Sequence, residues 1–176
     1  MRTENPRKAF AIRAADFEER FAADSPDQAQ LVEHLENIVR DLTAKQACLD
    51  EMFAHFDEVG FGATFANRNK QYGIVLPDAS HPGLFRCQHF DSRGFFGHST
   101  LPSPDRVILE LCEDGYKHIV HSNTLADMSQ TQEWERGMAK LAVLQAAQTG
   151  TLTWREANQR AMEIDQQFGL DTEAAA

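Results

Sequence analysis

The sequence predicts an α+β fold in which a long N-terminal helix precedes an antiparallel β-meander and a C-terminal antiparallel helical hairpin. Three observations lead to this prediction. Within the predicted helix over 25–57, apolar residues recur at alternating steps of four and three from residue 31 to residue 56, with one polar residue in the series. Between residues 60 and 99, apolar residues instead alternate with small or polar ones, as in half-buried strands. Two further stretches with helical spacing fill residues 131–168 on either side of Gly150.

Length, charge and cysteine content set the broad class. The 176 residues predict an N-terminal segment with a short helix (1–24), a single α+β domain (25–170) and a disordered tail (171–176). A net charge of −10 makes nucleic-acid binding unfavourable, and no stretch is long and apolar enough to span a membrane. Three widely spaced cysteines do not predict a disulfide framework, which favours a cytoplasmic location.

The first elements are helical. Residues 14–23 are predicted to form a short helix with Phe17 and Phe21 one turn apart on one face. The long helix then starts at Ser25, a suitable N-cap, with Pro26 at the first helical position and Gln28 completing a capping box.

The long helix has a narrow apolar seam, the predicted interaction surface: Leu31, Leu35, Ile38, Leu42, Leu49, Met52 and Phe56. A helix over 25–57 reaches about 48 Å, whereas a domain of this size is about 40 Å across. The helix therefore bends, projects at one end, or is covered by a second copy in a homodimer. The alternative is that the sheet and the C-terminal helices of the same chain cover the seam. Lys45 interrupts the seam and favours mixed packing over a simple coiled coil.

The helix ends at Gly60 and Gly62, and a meander of three to five strands follows over 60–99. Its predicted strands cover residues 61–65, 71–76, 84–90 and 94–97, with a hairpin loop at residues 67–70.

Residues 103–122 allow two interpretations. They fit a hairpin that turns at Asp114-Gly115, or a helix over 104–114 followed by one strand over 116–122. The helix is favoured because Ser103-Pro104-Asp105 repeats the start pattern seen at residue 25 and because Gly115 fits the position after a helix end.

The last third predicts a helical hairpin over 131–168. One helix covers residues 132–148, and Gly150 interrupts it. A capping box at Thr153 and Glu156 then begins the second helix. A turn this short makes the two helices antiparallel.

One strand carries the only candidate catalytic residues, Cys87, His89 and Asp91, which alternate onto one face. They suggest a nucleophile, a base and an orienting carboxylate, or two ligands, Cys87 and His89, for one ion. The alternative is a core cysteine beside a hydrogen-bonded histidine. Because no further ligands converge, we predict no metal site and no cofactor. Cys48, within the long helix, is expected to pack.

The opposite face of the same strand presents Arg86, Gln88 and Phe90. Basic and aromatic residues on a sheet face can hold a peptide or stack on bases. The alternative is an ordinary solvated face.

Three functions follow from these patterns. The leading prediction is a small acidic cytosolic protein that binds or regulates a protein partner and forms a homodimer. The second is a hydrolase or metal-assisted enzyme centred on Cys87 and His89. The third is an inhibitor that presents an acidic helix in place of nucleic acid, since residues 26–58 contain eight acidic and two basic residues.

Overall fold

The computed structural model describes residues 5–24, 29–121 and 123–169. The helices there are α1 (Ala9–Asp24), α2 (Ala29–Val59), α3 (Pro104–Glu113), α4 (Thr124–Ser129), α5 (Gln132–Gln148) and α6 (Trp154–Gln167). The strands are β1 (Thr64–Ala66), β2 (Tyr72–Pro77), β3 (Phe85–Asp91), β4 (Gly94–Leu101) and β5 (His118–Val120). This order confirms the predicted α+β class, with its long N-terminal helix, antiparallel sheet and C-terminal helices.

The sheet has five strands in the order β4-β3-β2-β1-β5. Strand β1 pairs antiparallel with both of its neighbours, so that Thr64 lies opposite Ile74 on one side and Val120 on the other. Strand β4 extends to Leu101 and is longer than the predicted strand at 94–97. The chain divides into two compact units, one comprising residues up to Gln88 together with His98–Val120, the other His89–Gly97 together with residues from His121 on. The single domain predicted over 25–170 stays a prediction.

In the first unit, α1 and α2 form an antiparallel pair. Helix α1 begins at Ala9, five residues before the predicted start, because the Asn5 side chain accepts a hydrogen bond from the Arg7 N–H and a 3₁₀ turn leads directly into the helix. Helix α2 is continuous from Ala29 to Val59. The predicted start signal at residues 25–28 lies outside the described residues, as does the predicted disordered tail.

Arg7 links residues near the beginning of the chain to α2 and α3 through hydrogen-bonded ion pairs. Its guanidinium group donates to both carboxylate oxygens of Asp57 at 2.7 Å, and its Nε donates to Asp105 at 2.9 Å. The same group lies 4.5 Å from the centre of the Phe53 ring. Bidentate geometry of this kind requires arginine.

Helix α3 supplies one side of the first unit's core. The structure confirms the helix predicted over 104–114: the Ser103 side chain caps it by accepting from Arg106 N–H, and Gly115 adopts a φ of +86° after its end. The strand that follows, β5, is shorter than the predicted 116–122. Fully buried core residues come from α2, α3 and the sheet: Leu49, Met52, Phe65, Val75, Val107, Ile108 and Leu111.

In the second unit, α5 and α6 form the predicted helical hairpin, and Thr153 and Glu156 make the predicted capping box. Helix α5 buries Trp134 edge-to-face against Phe90 and Phe95. The short helix α4 has no counterpart in the sequence prediction.

Candidate interaction surface

The structure divides the predicted seam of α2 into two parts. Leu49 and Met52 are fully buried in the core of the first unit, and Leu42 and Phe56 pack against that core. Leu35 and Ile38 lie one to two turns before Leu42 and are only half-buried. The side chain of Leu31 lies outside the described residues. What remains available for a partner is therefore the early part of the seam.

We define the α1–α2 arm as residues 15–20 of α1 and residues 32–41 of α2. None of these residues is buried. Its large apolar side chains are Phe17, Val32, Leu35, Ile38 and Val39. Phe17 is 38% exposed and Val32 43%, and the other three are half-buried. Two helices packed only on each other leave the edges of their apolar seam open to water. The exposed fractions of these five side chains fit that arrangement.

The arm is acidic. It contains six carboxylates and two arginines, a net charge of −4. Lys45, just beyond the arm, forms an ion pair with Asp41 at 2.7 Å, and Arg40 hydrogen-bonds the Asn37 side chain. A shallow hollow of about 200 Å³ on the α1 side is lined by Arg13, Asp16, Phe17 and Arg20.

The three candidate catalytic residues have different environments. Cys87 is fully buried in the core of the first unit, and burial raises the pKa of its thiol well above the ordinary range. His89 and Asp91 belong to the second unit, where the His89 ring stacks on Phe96 at 5.8 Å. Asp91 accepts hydrogen bonds from the backbone N–H and the guanidinium of Arg93. A buried thiol with a raised pKa supplies little thiolate, which argues against nucleophilic use of Cys87.

The proposed ligand face on the other side of β3 is largely occupied. Phe90 is fully buried and packs on Phe95 and Trp134. Arg86 donates to the Asp78 carboxylate at 3.2 Å, and Gln88 is half-buried. These positions leave little surface for a base or a peptide to stack on.

The carboxylate of Asp78, to which no sequence pattern points, is buried at the end of β2. Asp78 is 4% exposed and accepts hydrogen bonds from Thr100 Oγ1 at 2.7 Å and Ser80 N–H at 2.8 Å. Together with Arg86, these donors hold the pKa of this carboxyl well below its usual range. His81 Nδ1 lies 3.5 Å from the same carboxylate. The Asp78 side chain thus links the 78–84 loop to β3 and β4 through hydrogen bonds.

Over residues 5–24, 29–121 and 123–169, no group of three or more His, Cys, Asp or Glu side chains is arranged to hold a metal ion. No helix in the same part of the chain combines the length and the apolar character that crossing a bilayer demands.

Comparison of the chain with protein-family models, with curated proteins and with solved structures gives no match. A functional proposal therefore depends on the geometry of the chain itself.

Proposed function

We propose that this protein acts through protein–protein contact and that its α1–α2 arm associates with the arm of a second copy to form a homodimer. The observation that supports this proposal is the set of five apolar side chains in the arm, none of which is buried. One pair of helices cannot enclose its own seam, whereas two pairs can, as in a four-helix bundle. A two-fold dimer supplies the second pair with an identical seam.

The spacing of the seam suits an antiparallel arrangement of two α2 helices. Leu35 and Ile38 are three residues apart, so a two-fold axis midway between Glu36 and Asn37 places each Leu35 level with the Ile38 of the other copy. This is the pairing that an antiparallel two-helix seam requires. The residues on the opposite side of α2, such as Arg40, stay in water.

Rough magnitudes indicate that apolar burial exceeds charge repulsion. Completing the burial of ten half-exposed apolar side chains from two copies is worth about 1 kcal/mol each. Two arms of charge −4, treated as points about 15 Å apart, repel by about 4 kcal/mol in water without salt and by less than about 1 kcal/mol at 0.15 M salt. Association itself costs about 4–15 kcal/mol. With the association cost at the lower end of that range, the balance is about −5 kcal/mol, which predicts a weak dimer with a dissociation constant of a few tenths of a millimolar.

Sedimentation equilibrium at protein concentrations up to about 0.5 mM tests the dimer directly. We expect the wild-type chain to dimerise and Ile38→Glu to be monomeric over the same range, because the variant places a charge in the centre of the seam. Ala47→Glu is the matched control. Ala47 is exposed and lies nine residues from Ile38, on the opposite side of α2. The Ala47→Glu substitution therefore adds the same charge without touching the seam.

Circular dichroism of each variant shows whether α2 stays folded, so that loss of the dimer is not confused with loss of the helix. A wild-type chain that remains monomeric at about 0.5 mM overturns the proposal, as does equal weakening by both substitutions.

The net charge of the arm also favours a second candidate, an acidic inhibitor that binds a basic protein in place of nucleic acid. Such a complex weakens as salt is added, whereas a dimer held by the seam does not. The enzyme hypothesis centred on Cys87 and His89 gains no support from the burial of Cys87.

A further inference from the structure

Strand β5 is an edge of the sheet, and the pairing of its neighbour β1 shows where the backbone groups of β5 point. The residues on either side of β1 bond to β2. The Val75 N–H donates to the Ala63 carbonyl at 3.0 Å, and the Asn67 N–H donates to the Gln71 carbonyl at 2.9 Å. Successive residues of a strand direct their backbone groups to opposite sides, so the even-numbered residues of β1 bond to β5.

The middle residue of β5 has an open backbone donor and acceptor. The even-numbered residues Thr64 and Ala66 lie opposite Val120 and His118. Val120 and His118 therefore direct their backbone groups at β1, and Ile119 directs its N–H and C=O away from the sheet. Neither group has a hydrogen-bond partner in the part of the chain that the structure describes. The side chain of Ile119 is 45% exposed.

Three cations lie where β5 begins. Lys117 directly precedes the strand, and the antiparallel register places it beside Asn67, the first residue of the loop that contains Arg68 and Lys70. All three cationic residues are exposed, and none forms an ion pair with another residue of the described ranges. An unpaired strand edge and a group of unpaired positive charges therefore meet at one end of the sheet.

Carboxylates offset this positive charge only in part. Glu113 pairs with Arg13 at 2.6 Å, and Asp114 is exposed, so it offsets one of the three charges. The end of β5 remains locally positive although the net charge of the chain is −10. Charges are screened within about 8 Å at 0.15 M salt, so an incoming strand meets these cations rather than the distant carboxylates of the chain.

We propose that β5 binds an extended acidic segment of a partner protein, which adds to the five-stranded sheet as a further strand. Hydrogen bonds to the Ile119 backbone supply affinity, and the side chains that flank them supply selectivity. In an antiparallel pairing, an apolar partner residue lies opposite Ile119. The partner residue two positions further along lies opposite Lys117, where a carboxylate is favoured. This surface is separate from the α1–α2 arm and does not depend on the proposed dimer.

The same charges select against a second copy of this chain at the edge. An exposed lysine on an edge strand disfavours pairing with an identical edge. A carboxylate on the incoming strand instead makes a favourable pair with Lys117. The edge thus discriminates by charge between its own kind and an acidic partner.

Titration of the isotope-labelled full-length chain with a blocked peptide, followed by nitrogen–proton correlation NMR, tests the proposal. The probe is acetyl-Glu-Glu-Thr-Val-Thr-Glu-Glu-amide, which has glutamates two residues to either side of a central valine. A protein concentration of about 0.05 mM keeps the chain mainly monomeric. We expect the largest shift changes at Lys117–Val120 and at residues 68–70, and we expect hydrogen exchange of the Ile119 amide to slow about fivefold at saturation.

Two methylated peptides distinguish strand pairing from simple charge attraction. In the proposed pairing the valine N–H points at β5, whereas the N–H groups of the two threonines point away. Methylation of the valine nitrogen should weaken binding about tenfold, and methylation of the first threonine nitrogen should change it by less than about twofold. Equal effects of the two methylated peptides overturn the proposal.

Two variants of the chain test the charge. Lys117→Glu should weaken binding of the acidic peptide about tenfold. Lys8→Glu is the matched control and should change it little, because Lys8 is an exposed cation before α1 and has no ion pair with a described residue. Equal loss in both variants overturns the proposal, as do shift changes that leave β5 unaffected. The same shifts on adding the corresponding peptide with lysine in place of glutamate also overturn it.

Discussion

At the residue scale, Asp78 shows how a buried charge is retained. Its carboxylate receives hydrogen bonds from Thr100 Oγ1 and from the Ser80 N–H and pairs with Arg86. A buried carboxylate is tolerated only when its oxygens are satisfied in this way. The partners lie between 2 and 22 residues away along the chain, so no local sequence pattern could have identified them.

This network predicts a pH-dependent stability for Asp78→Asn. The pKa of Asp78 is lowered in the folded chain, chiefly by the hydrogen bond from Thr100. The stabilisation that the ionised carboxylate provides is therefore complete above the unfolded pKa of about 4. It is lost as the pH falls through the lower folded pKa. We expect the variant to melt several degrees below wild type at pH 7, and the difference to shrink as the pH falls below about 4. Differential scanning calorimetry across that range measures it.

Asp127→Asn serves as the control for Asp78→Asn, because Asp127 is an exposed carboxylate on α4. It should change the melting temperature little at any pH. A difference for Asp78→Asn that stays constant from pH 7 to about pH 2 would mean that shape, and not charge, accounts for the effect.

At the element scale, the interior of α5 contains a residue that helix propensity disfavours, Gly137. Glycine in a helix interior costs about 1 kcal/mol relative to alanine, yet α5 contains one at this position. A Cβ atom there would overlap the backbone carbonyl of Arg93, in the turn between β3 and β4. The glycine therefore permits close contact of the helix with the hairpin turn.

Gly137→Ala should consequently destabilise the protein, although helix propensity alone predicts the opposite. The added methyl group meets backbone atoms, which cannot move aside as a flexible side chain could, so we expect a loss of about 1–3 kcal/mol in the free energy of unfolding. Urea denaturation measures it.

Ala142→Gly, at an exposed position of the same helix, measures propensity by itself and should cost about 1 kcal/mol. A Gly137→Ala variant that is more stable than wild type would show that the contact with Arg93 is not tight.

The same scale shows what the sequence could predict. Long patterns identified α2, the meander and the α5–α6 hairpin, because each has several turns or strands of consistent spacing. The start signal at Ser103 and the glycine at 115 correctly favoured a helix for α3. Helix α4 has only six residues, too few for a period to be visible, and the early start of α1 depends on the Asn5 cap.

The candidate surface was predictable only in part, since spacing shows which residues share a face but not what covers it. Leu49 and Leu35 occupy the same seam, yet Leu49 is fully buried and Leu35 is half-buried. That difference depends on how far the core extends along α2, which is a property of the packed chain. Likewise, alternation placed Phe90 on one face of β3, but Trp134 covers that face from 44 residues away.

At the scale of the whole molecule, net charge determines how self-association responds to salt. Each chain has a charge of −10, of which −4 lies on the arm. Two copies therefore repel each other. Salt shortens the distance over which this repulsion acts, because the screening length falls from about 30 Å at 0.01 M to about 3 Å at 1 M. The apolar seam that would hold the dimer is not weakened by sodium chloride.

The proposed dimer should accordingly tighten with salt. We expect the dissociation constant measured by sedimentation equilibrium to fall about fiftyfold between 0.01 M and 0.5 M sodium chloride, equivalent to about 2.3 kcal/mol. Glu33→Gln combined with Glu36→Gln halves the charge of the arm and should cut the repulsion to about a quarter, because it scales with the product of the two charges. The double variant should bind more tightly at low salt and lose most of the salt dependence.

Dissociation on adding salt would instead show that ion pairs hold the two copies together, and an arm that binds a basic protein partner would give that response.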